Sequence, residues 1–321
     1  ICFGNLCNLA CSYCNSEFSS TWGNDIITNG PYTAMKTDGG HTYENDGQHG
    51  MPFGPKNTGN IYIKKFFEWY NGGLKDNLQE LRVSGGEPSR SPDFWKLVDS
   101  FNHEKFAFAV NSNLIMEQDR LQKLIDIKQH FKKYDVYTSC ESYGKHAEFV
   151  RSGLNYEDWK KNLFTLQTSA PEINTHIMLT VSALSVWSLD LFLDDIIALR
   201  KETQQILGGT KTPYFMSVNI LRFPSFQSVN IIPSQFKEKL ASSIELIVNN
   251  NQQYLTSTET NNFQRCIAYL REVESSYEDV DDIDNKINDF KEFISQYSER
   301  RGLPFVEYMP SNFFDWFKTI W

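Results

Sequence analysis

Cys7, Cys11 and Cys14 stand in the run Cys-Asn-Leu-Ala-Cys-Ser-Tyr-Cys, a C-x3-C-x2-C spacing that gathers three thiolates on one short loop. Thiolates are the usual ligands of iron–sulfur clusters, and a fully capped four-iron cluster takes four of them. Three leave one iron with no protein ligand, and an open iron is reactive. No fourth cysteine lies nearby, because Cys2 sits before the loop in an apolar run and the next are Cys140 and Cys266. Zinc is the rival occupant, since a structural zinc site also wants four Cys or His ligands at close spacing. The run lacks the second ligand pair of a zinc ribbon or finger, and no His lies within the loop. A disulfide pair is the weaker alternative.

A second chemical feature follows in the run Gln-Glu-Leu-Arg-Val-Ser-Gly-Gly-Glu-Pro, residues 79 to 88. Leu81 and Val83 alternate as in a strand that leads directly into Gly85, Gly86 and Glu87. Paired glycines at a strand end permit a close approach that a Cβ would block. Glu87 is then expected to point a carboxylate into the space above the sheet. An ordinary strand-to-loop turn is the plain alternative.

Taken together, the triplet with Tyr13 before its last cysteine and the Gly-Gly-Glu segment resemble the signature of the radical S-adenosylmethionine (radical SAM) superfamily. The resemblance implies a 4Fe-4S cluster on Cys7, Cys11 and Cys14, with S-adenosyl-L-methionine bound to the open iron through its amino and carboxylate groups. Electron transfer then cleaves the sulfonium and yields a 5′-deoxyadenosyl radical, which abstracts hydrogen from an unreactive carbon. Gly85, Gly86 and Glu87 would receive the methionine amino group, a carboxylate facing an ammonium. Tyr13 would stack near the adenine or simply pack beside the cluster. Asn111 and Asn113 stand where many relatives carry Thr-Asn-Gly, and their amides would bind ribose hydroxyls or cap the turn.

The run Thr138-Ser139-Cys140-Glu141-Ser142 stands where relatives often carry Ser-x-Asp-Gly, and Glu141 and Ser142 depart from that pattern. Ser139 and Ser182, each at a strand end, are further candidate contacts to the cofactor. Arg151 resembles the family arginine that pairs with the cofactor carboxylate, a role suited to a planar bidentate donor; an exposed arginine at a helix edge is the alternative. Cys140 reads as a buried packing residue, a second-cluster ligand or a hydrogen-atom donor. The resemblance also implies an electron donor such as flavodoxin or ferredoxin.

The elements that must position these residues alternate between strand and helix, which indicates an α/β protein with a mainly parallel sheet. Strands are expected at Ile1 to Asn5, Glu80 to Ser84, Phe106 to Asn111, Asp135 to Ser139, Thr175 to Ser182 and Tyr214 to Leu221. Helices are expected at Tyr62 to Leu74, Pro92 to His103, Glu117 to His130, Tyr156 to Thr168, Leu189 to Glu202 and Pro233 to Asn249. These repeats resemble the partial (β/α)6 TIM-like barrel of radical SAM cores, over residues 1–222. Right-handed crossovers would bring every strand's C-terminal end to one mouth. Residues 28–60 form a long inserted loop rich in Gly, Asn, Asp and Pro, a candidate cover for that mouth. His41 and His49, with Asp38, Glu44 and Asp46, match no metal template and read as a solvated polar loop. Residues 223–321 hold the last barrel helix and a helical C-terminal extension. Its acidic run Glu278 to Asp282 reads as a solvated face. Its closing segment, Phe305 to Trp321, is expected to pack on the barrel.

The 321 residues carry a net charge of -9, which argues against broad phosphate-backbone binding and makes nucleic acid an unlikely partner. No stretch approaches the roughly 18 to 20 apolar residues that span a bilayer, so no membrane association is expected. Six cysteines, three of them bunched, suit a reducing compartment, and no signal-peptide pattern opens the chain; a cytoplasmic location follows. The chain opens on Ile1, already in an apolar run, so further residues are expected to precede it. The phrases Gly-Asn-Leu-Cys-Asn-Leu-Ala-Cys-Ser-Tyr-Cys-Asn, Phe-Ser-Ser-Thr-Trp and Leu-Arg-Val-Ser-Gly-Gly-Glu-Pro are similar to radical SAM proteins associated with twitch or SPASM auxiliary-cluster domains. That branch implies a peptide or protein substrate; a small metabolite or nucleotide, or a non-catalytic iron–sulfur module, are the alternatives. Cys140 and Cys266 are too few for a second cluster, whose ligands would have to come from sequence before Ile1.

Overall fold

A computed structural model describes residues 1–37, 60–209, 212–272 and 280–320, with backbone alone at 280 and 281. The polar segment holding Asp38, His41, Glu44, Asp46 and His49 lies outside the described residues, as do Glu278, Asp279 and Trp321. In chain order the elements are β1 (Ala10–Cys11), α1 (Ser20–Asn29), α2 (Ile61–Trp69), β2 (Glu80–Val83), α3 (Pro92–Val98), β3 (Ala107–Asn111), α4 (Gln118–Asp126), β4 (Tyr134–Ser139) and α5 (Gly144–Val150). Then follow β5 (Arg151–Ser152), α6 (Tyr156–Ser169), β6 (Asn174–Val181), α7 (Leu189–Ile206), β7 (Phe215–Ile220), α8 (Ser234–Asn250), α9 (Ser257–Arg271), α10 (Val280–Arg301) and α11 (Ser311–Ile320).

Five strands form one parallel sheet in the order β2-β3-β4-β6-β7. A parallel step needs a crossover, and α3, α4, α5 with α6, and α7 supply one for each. The burial pattern explains why these segments are strands. Along β6 partly exposed and buried residues alternate strictly, with Thr175, Ile177, Leu179 and Val181 buried. Leu81, Val83, Phe108, Val110, Val136, Met216 and Val218 join them in the core cluster. The other face carries Arg82, Asn111, Tyr137, Ser139, His176, Thr180 and Ser217, none of them buried. One face is therefore packed, and the other is largely polar and partly accessible around buried Ala109 and Asp135, a mixed α/β arrangement compatible with a partial TIM-like fold.

Local rules account for the helices. In α7 the buried residues Leu189, Phe192, Leu193, Ile196, Ile197 and Arg200 recur at helical spacing and face the core. Helix α6 starts on Asn155, whose side chain accepts the Asp158 N–H at 2.9 Å, with Glu157 and Asp158 set against the positive end of the helix. Helix α9 starts with a capping box between Thr256 and Glu259.

Several expectations shift. The first expected strand, Ile1 to Asn5, reduces to a single parallel bridge between Cys2 and Ser84. The segment still runs along β2, because the Ser84 N–H donates to Ile1 O at 2.9 Å and the Gly86 N–H to Gly4 O at 3.1 Å. Gly4, at φ 146°, interrupts the extended run, and the chain continues along the end of β2 without a regular ladder. The helix expected to Leu74 passes into a π turn at Tyr70–Leu74, where Gly73 takes φ 118°. The helix from Pro92 stops at Val98, and the one expected from Glu117 tightens to a 3-10 turn at Ile127–His130. Helix α1 fills the start of the expected long loop, and α5 with β5 occupies the stretch between the fourth expected strand and α6.

The closing segment packs as expected. Phe313, Trp316 and Phe317 are buried, and Trp316 stacks on Trp187 with ring centroids 5.3 Å apart. Burial of such a side chain contributes about 1.5–3 kcal/mol. Among the described residues no helix is long and apolar enough to cross a membrane.

Candidate functional site: the cysteine loop and its supports

The cysteine loop is held by its own backbone oxygens. Ser19 caps α1 by accepting the Trp22 N–H, and its hydroxyl donates to Leu9 O at 2.7 Å. The Ser20 hydroxyl accepts the Cys7 N–H at 3.1 Å, and the Thr21 hydroxyl donates to Cys7 O at 2.7 Å. The indole N–H of Trp22, fully buried, donates to Cys11 O at 2.8 Å. The Cys14 N–H closes a turn onto Cys11 O at 2.9 Å. The run Phe-Ser-Ser-Thr-Trp thus has a mechanical role that its sequence resemblance did not reveal: its hydroxyls and indole clamp the loop's carbonyls.

All three thiols are free of disulfides. Burial, with the neighbouring Cys11 adding to it, pushes the Cys7 thiol up to about 12. The Cys11 and Cys14 thiols are also raised, burial again being the main cause. Binding of iron would have to displace those protons. Among the described residues no three or more His, Cys, Asp or Glu side chains stand close enough to hold a metal ion. A single zinc needs four ligands converging to about 2.0–2.3 Å of one centre. A four-iron cube presents its irons at separate corners, so each of the three thiolates would take one iron.

The two glycines serve the same loop. A Cβ on Gly86 would meet Leu6 O at 2.3 Å, and one on Gly85, at φ +127°, would meet Cys2 Sγ at 2.5 Å. They allow the lead-in to the cysteines to lie against the end of β2. The Glu87 N–H continues that contact, donating to Leu6 O at 2.6 Å.

The Glu87 carboxylate departs from its expected aim. It is buried at 2% exposure and accepts the Ser89 N–H at 3.0 Å, the Ser112 hydroxyl at 2.9 Å and the Asn113 N–H at 2.6 Å. It ties the end of β2 to the end of β3 rather than opening above the sheet. Burial raises its pKa, and these donors oppose the rise. Asn113 extends the tie, its amide donating to Asn8 Oδ1 at 2.9 Å inside the cysteine loop.

Arg151 lies directly beside the thiols. The two-residue strands β1 and β5 pair antiparallel, with Ala10 opposite Ser152 and Cys11 opposite Arg151. Arg151 does follow directly on the end of α5, but its side chain is buried at 5% exposure, and Nη1 donates to the Tyr13 hydroxyl. Tyr13 donates in turn to Glu141 Oε2 at 3.3 Å, and Arg151 Nη1 stands 3.7 Å from the same oxygen. Arg151 Nε has no hydrogen-bond partner, and Glu141 Oε1 makes no bond of good geometry, although the Thr180 N–H pulls on the carboxylate. Burial lifts the Glu141 carboxyl to about 7 against the pull of Arg151. At 3.7 Å the ion pair is too long to offset desolvation.

The remaining candidates divide. Asn111 and Ser139 end β3 and β4 on the accessible face, and Asn111 Oδ1 is a buried acceptor without a partner. Ser182 is fully buried, and its hydroxyl accepts the Leu184 and Ser185 N–H groups at 3.3 and 3.1 Å and caps a turn. Cys140 is fully buried, as packing predicts. Tyr297, from the C-terminal extension, is a support that no local pattern announced; its hydroxyl donates to Ala10 O at 2.7 Å.

No protein-family model matches the chain, and no curated protein matches it. Solved structures with a similar course include native anSMEcpe with bound AdoMet, at TM-score 0.42 and 11% identity over 79% of this chain and 62% of that one. Native anSMEcpe with bound AdoMet and Kp18Cys peptide gives TM-score 0.39 and 12% identity over 78% and 60%. The chain spans less than two thirds of those structures, and at that distance no residue transfers from one to the other.

Proposed function

We propose that this chain is a radical SAM enzyme that cleaves S-adenosyl-L-methionine reductively and abstracts hydrogen from a substrate. The observation that carries the reading is the pairing of Cys11 with Arg151. It sets a buried, incompletely bonded guanidinium beside three free thiols. Cys7, Cys11 and Cys14 would hold a 4Fe-4S cluster, which when bound supplies the electron for sulfonium cleavage. Arg151 offers its free Nε to a carboxylate such as that of the cofactor. Asn111 and Ser139 offer polar groups for the nucleoside, and Tyr13 a ring face for the base. Gly85 and Gly86 shape the backbone beside the loop, and Glu87 acts by fixing β2 to β3.

Residues 1–222 serve in this reading as a partial barrel and 223–321 as its last helix and extension. The accessible face with Tyr137 and His176 is the wall on which a substrate would lie. The branch resemblance favours a peptide or protein side chain, with flavodoxin or ferredoxin as electron donor. Anaerobic reconstitution tests the proposal: about four irons per chain and 5′-deoxyadenosine formed with reductant and cofactor are expected. A fully clustered preparation that forms none, candidate substrates included, would sink it.

A further inference from the structure

Residues 223–321 reach the cysteine loop at two carbonyls: the Gln227 amide donates to Ser12 O at 2.9 Å, and from the helices beyond it Tyr297 brings a hydroxyl to Ala10 O. Tyr297 on α10 is fully buried. Its oxygen lies 2.7 Å from Ala10 O and 3.1 Å from Phe149 O, and it accepts the Ser152 N–H at 3.3 Å. A phenol has one hydrogen to donate, and Ala10 O is the nearer acceptor. Ala10 and Ser152 are register partners, one step from the pair Cys11 and Arg151. The hydroxyl therefore bridges the two strands where their pairing begins. A ribbon of two residues per strand is too short to hold its own register.

The neighbouring carbonyl is gripped in the same manner. Cys11 O accepts the Trp22 indole N–H, and the Trp22 and Tyr297 rings lie 5.9 Å apart. Arg301 sits 4.3 Å from the Trp22 ring centroid and 4.0 Å from that of Tyr297, and pairs with Asp25 at 3.3 Å. Phe293 stacks on both rings, with centroids 6.3 and 5.5 Å away. Two consecutive loop carbonyls are thus held by two aromatic donors, one from α1 and one from α10.

We propose that Tyr297 is a positioning residue for the cysteine loop, its hydroxyl setting the Cys11 and Arg151 ribbon on which the cluster and the cofactor carboxylate would be held. This rests on the radical SAM reading for its consequence, but the grip itself is independent of it. The test compares full-length wild type, Tyr297→Phe and Phe313→Leu, the last in the same extension but packed on Trp187.

In metal-free protein, Tyr297→Phe is expected to speed amide exchange at Ser12 and Ser152 about tenfold and to leave β3, β4 and β6 unchanged. After anaerobic reconstitution it is expected to release iron to a chelator about tenfold faster and to alter the cluster's EPR line shape. Phe313→Leu should lower thermal stability without either change. Unaltered exchange in Tyr297→Phe overturns the grip. Equal effects from Phe313→Leu overturn positioning in favour of general stability. Loosened exchange in Tyr297→Phe beside a wild type that takes up no iron overturns the functional reading and leaves the grip standing.

Discussion

Among the described residues two arginine–carboxylate pairs have both partners in the buried class, and they are finished to different degrees. Arg200 and Glu259 are both wholly buried and meet at 2.6 Å. The guanidinium also donates to Pro213 O at 2.9 Å, Tyr214 O at 2.7 Å and Tyr254 O. Glu259 accepts further from the Met216 N–H and from the Thr256 N–H and hydroxyl, each at 2.8 Å. Arg151 and Glu141 meet at 3.7 Å with Arg151 Nε unpartnered. A desolvated charge costs several kcal/mol unless its hydrogen bonds are completed, so the first pair is a finished structural joint. The second keeps capacity for a ligand, and it lies across from Cys11.

Breaking the finished joint should have the largest effect. Glu259→Gln is expected to destabilise the fold by about 3–5 kcal/mol in urea unfolding, because it strands a buried guanidinium, while refolded molecules keep their iron stoichiometry. Loss of iron with little loss of stability would reverse the roles of the two pairs.

The second test is the pH dependence of the unfinished pair. Glu141 has its folded pKa raised from 4.5 to about 7, so the folded state binds more protons than the unfolded between these values. Stability from this group is fully present below pH 4.5, declines as pH rises towards 7, and is flat above it. The loss is up to about 3 kcal/mol. Glu141→Gln should flatten that window in urea titrations; an unchanged slope would mean that the pair is finished after all.

Glu87 separates bonding from charge pairing, being a buried carboxylate at the same site satisfied by three neutral donors. Glu87→Gln is expected to cost about 2 kcal/mol, since an amide nitrogen would face donors, and to loosen the loop that Asn113 ties to Asn8. Thermal unfolding with iron analysis reads both. The smallest stability effect is expected for Arg151→Lys, about 1 kcal/mol, because the charge is kept and the fork is lost. Cofactor affinity by calorimetry on the clustered protein should nonetheless fall at least tenfold. Unchanged affinity would remove Arg151 from the site.

Much of the parallel sheet was legible, because apolar alternation in segments such as Thr175 to Val181 follows from packing one face. The cysteine triplet was legible too, since its spacing is local. Local signals failed where a contact is made across the chain. Ile1 to Asn5 is apolar enough for a strand, yet with Gly4 at φ 146° it makes one bridge and no ladder. Ser182 and Glu87 have residue types suited to a ligand, yet neighbouring N–H groups engage both. The hydroxyls of Ser19, Ser20 and Thr21 look like surface polarity until the loop carbonyls they hold are seen.

The sequence by itself determined the chemistry on offer: three thiols on a loop, a glycine pair after a strand, and one face of each strand apolar. These are short-range properties, set by spacing and by side-chain type. Only the tertiary structure decided which polar groups are already engaged and which are free. Tyr297 lies 287 residues from Ala10, and Arg151 lies 140 from Cys11. Whether such groups meet depends on how the helices and the ribbon close around one core, which no local window of sequence contains.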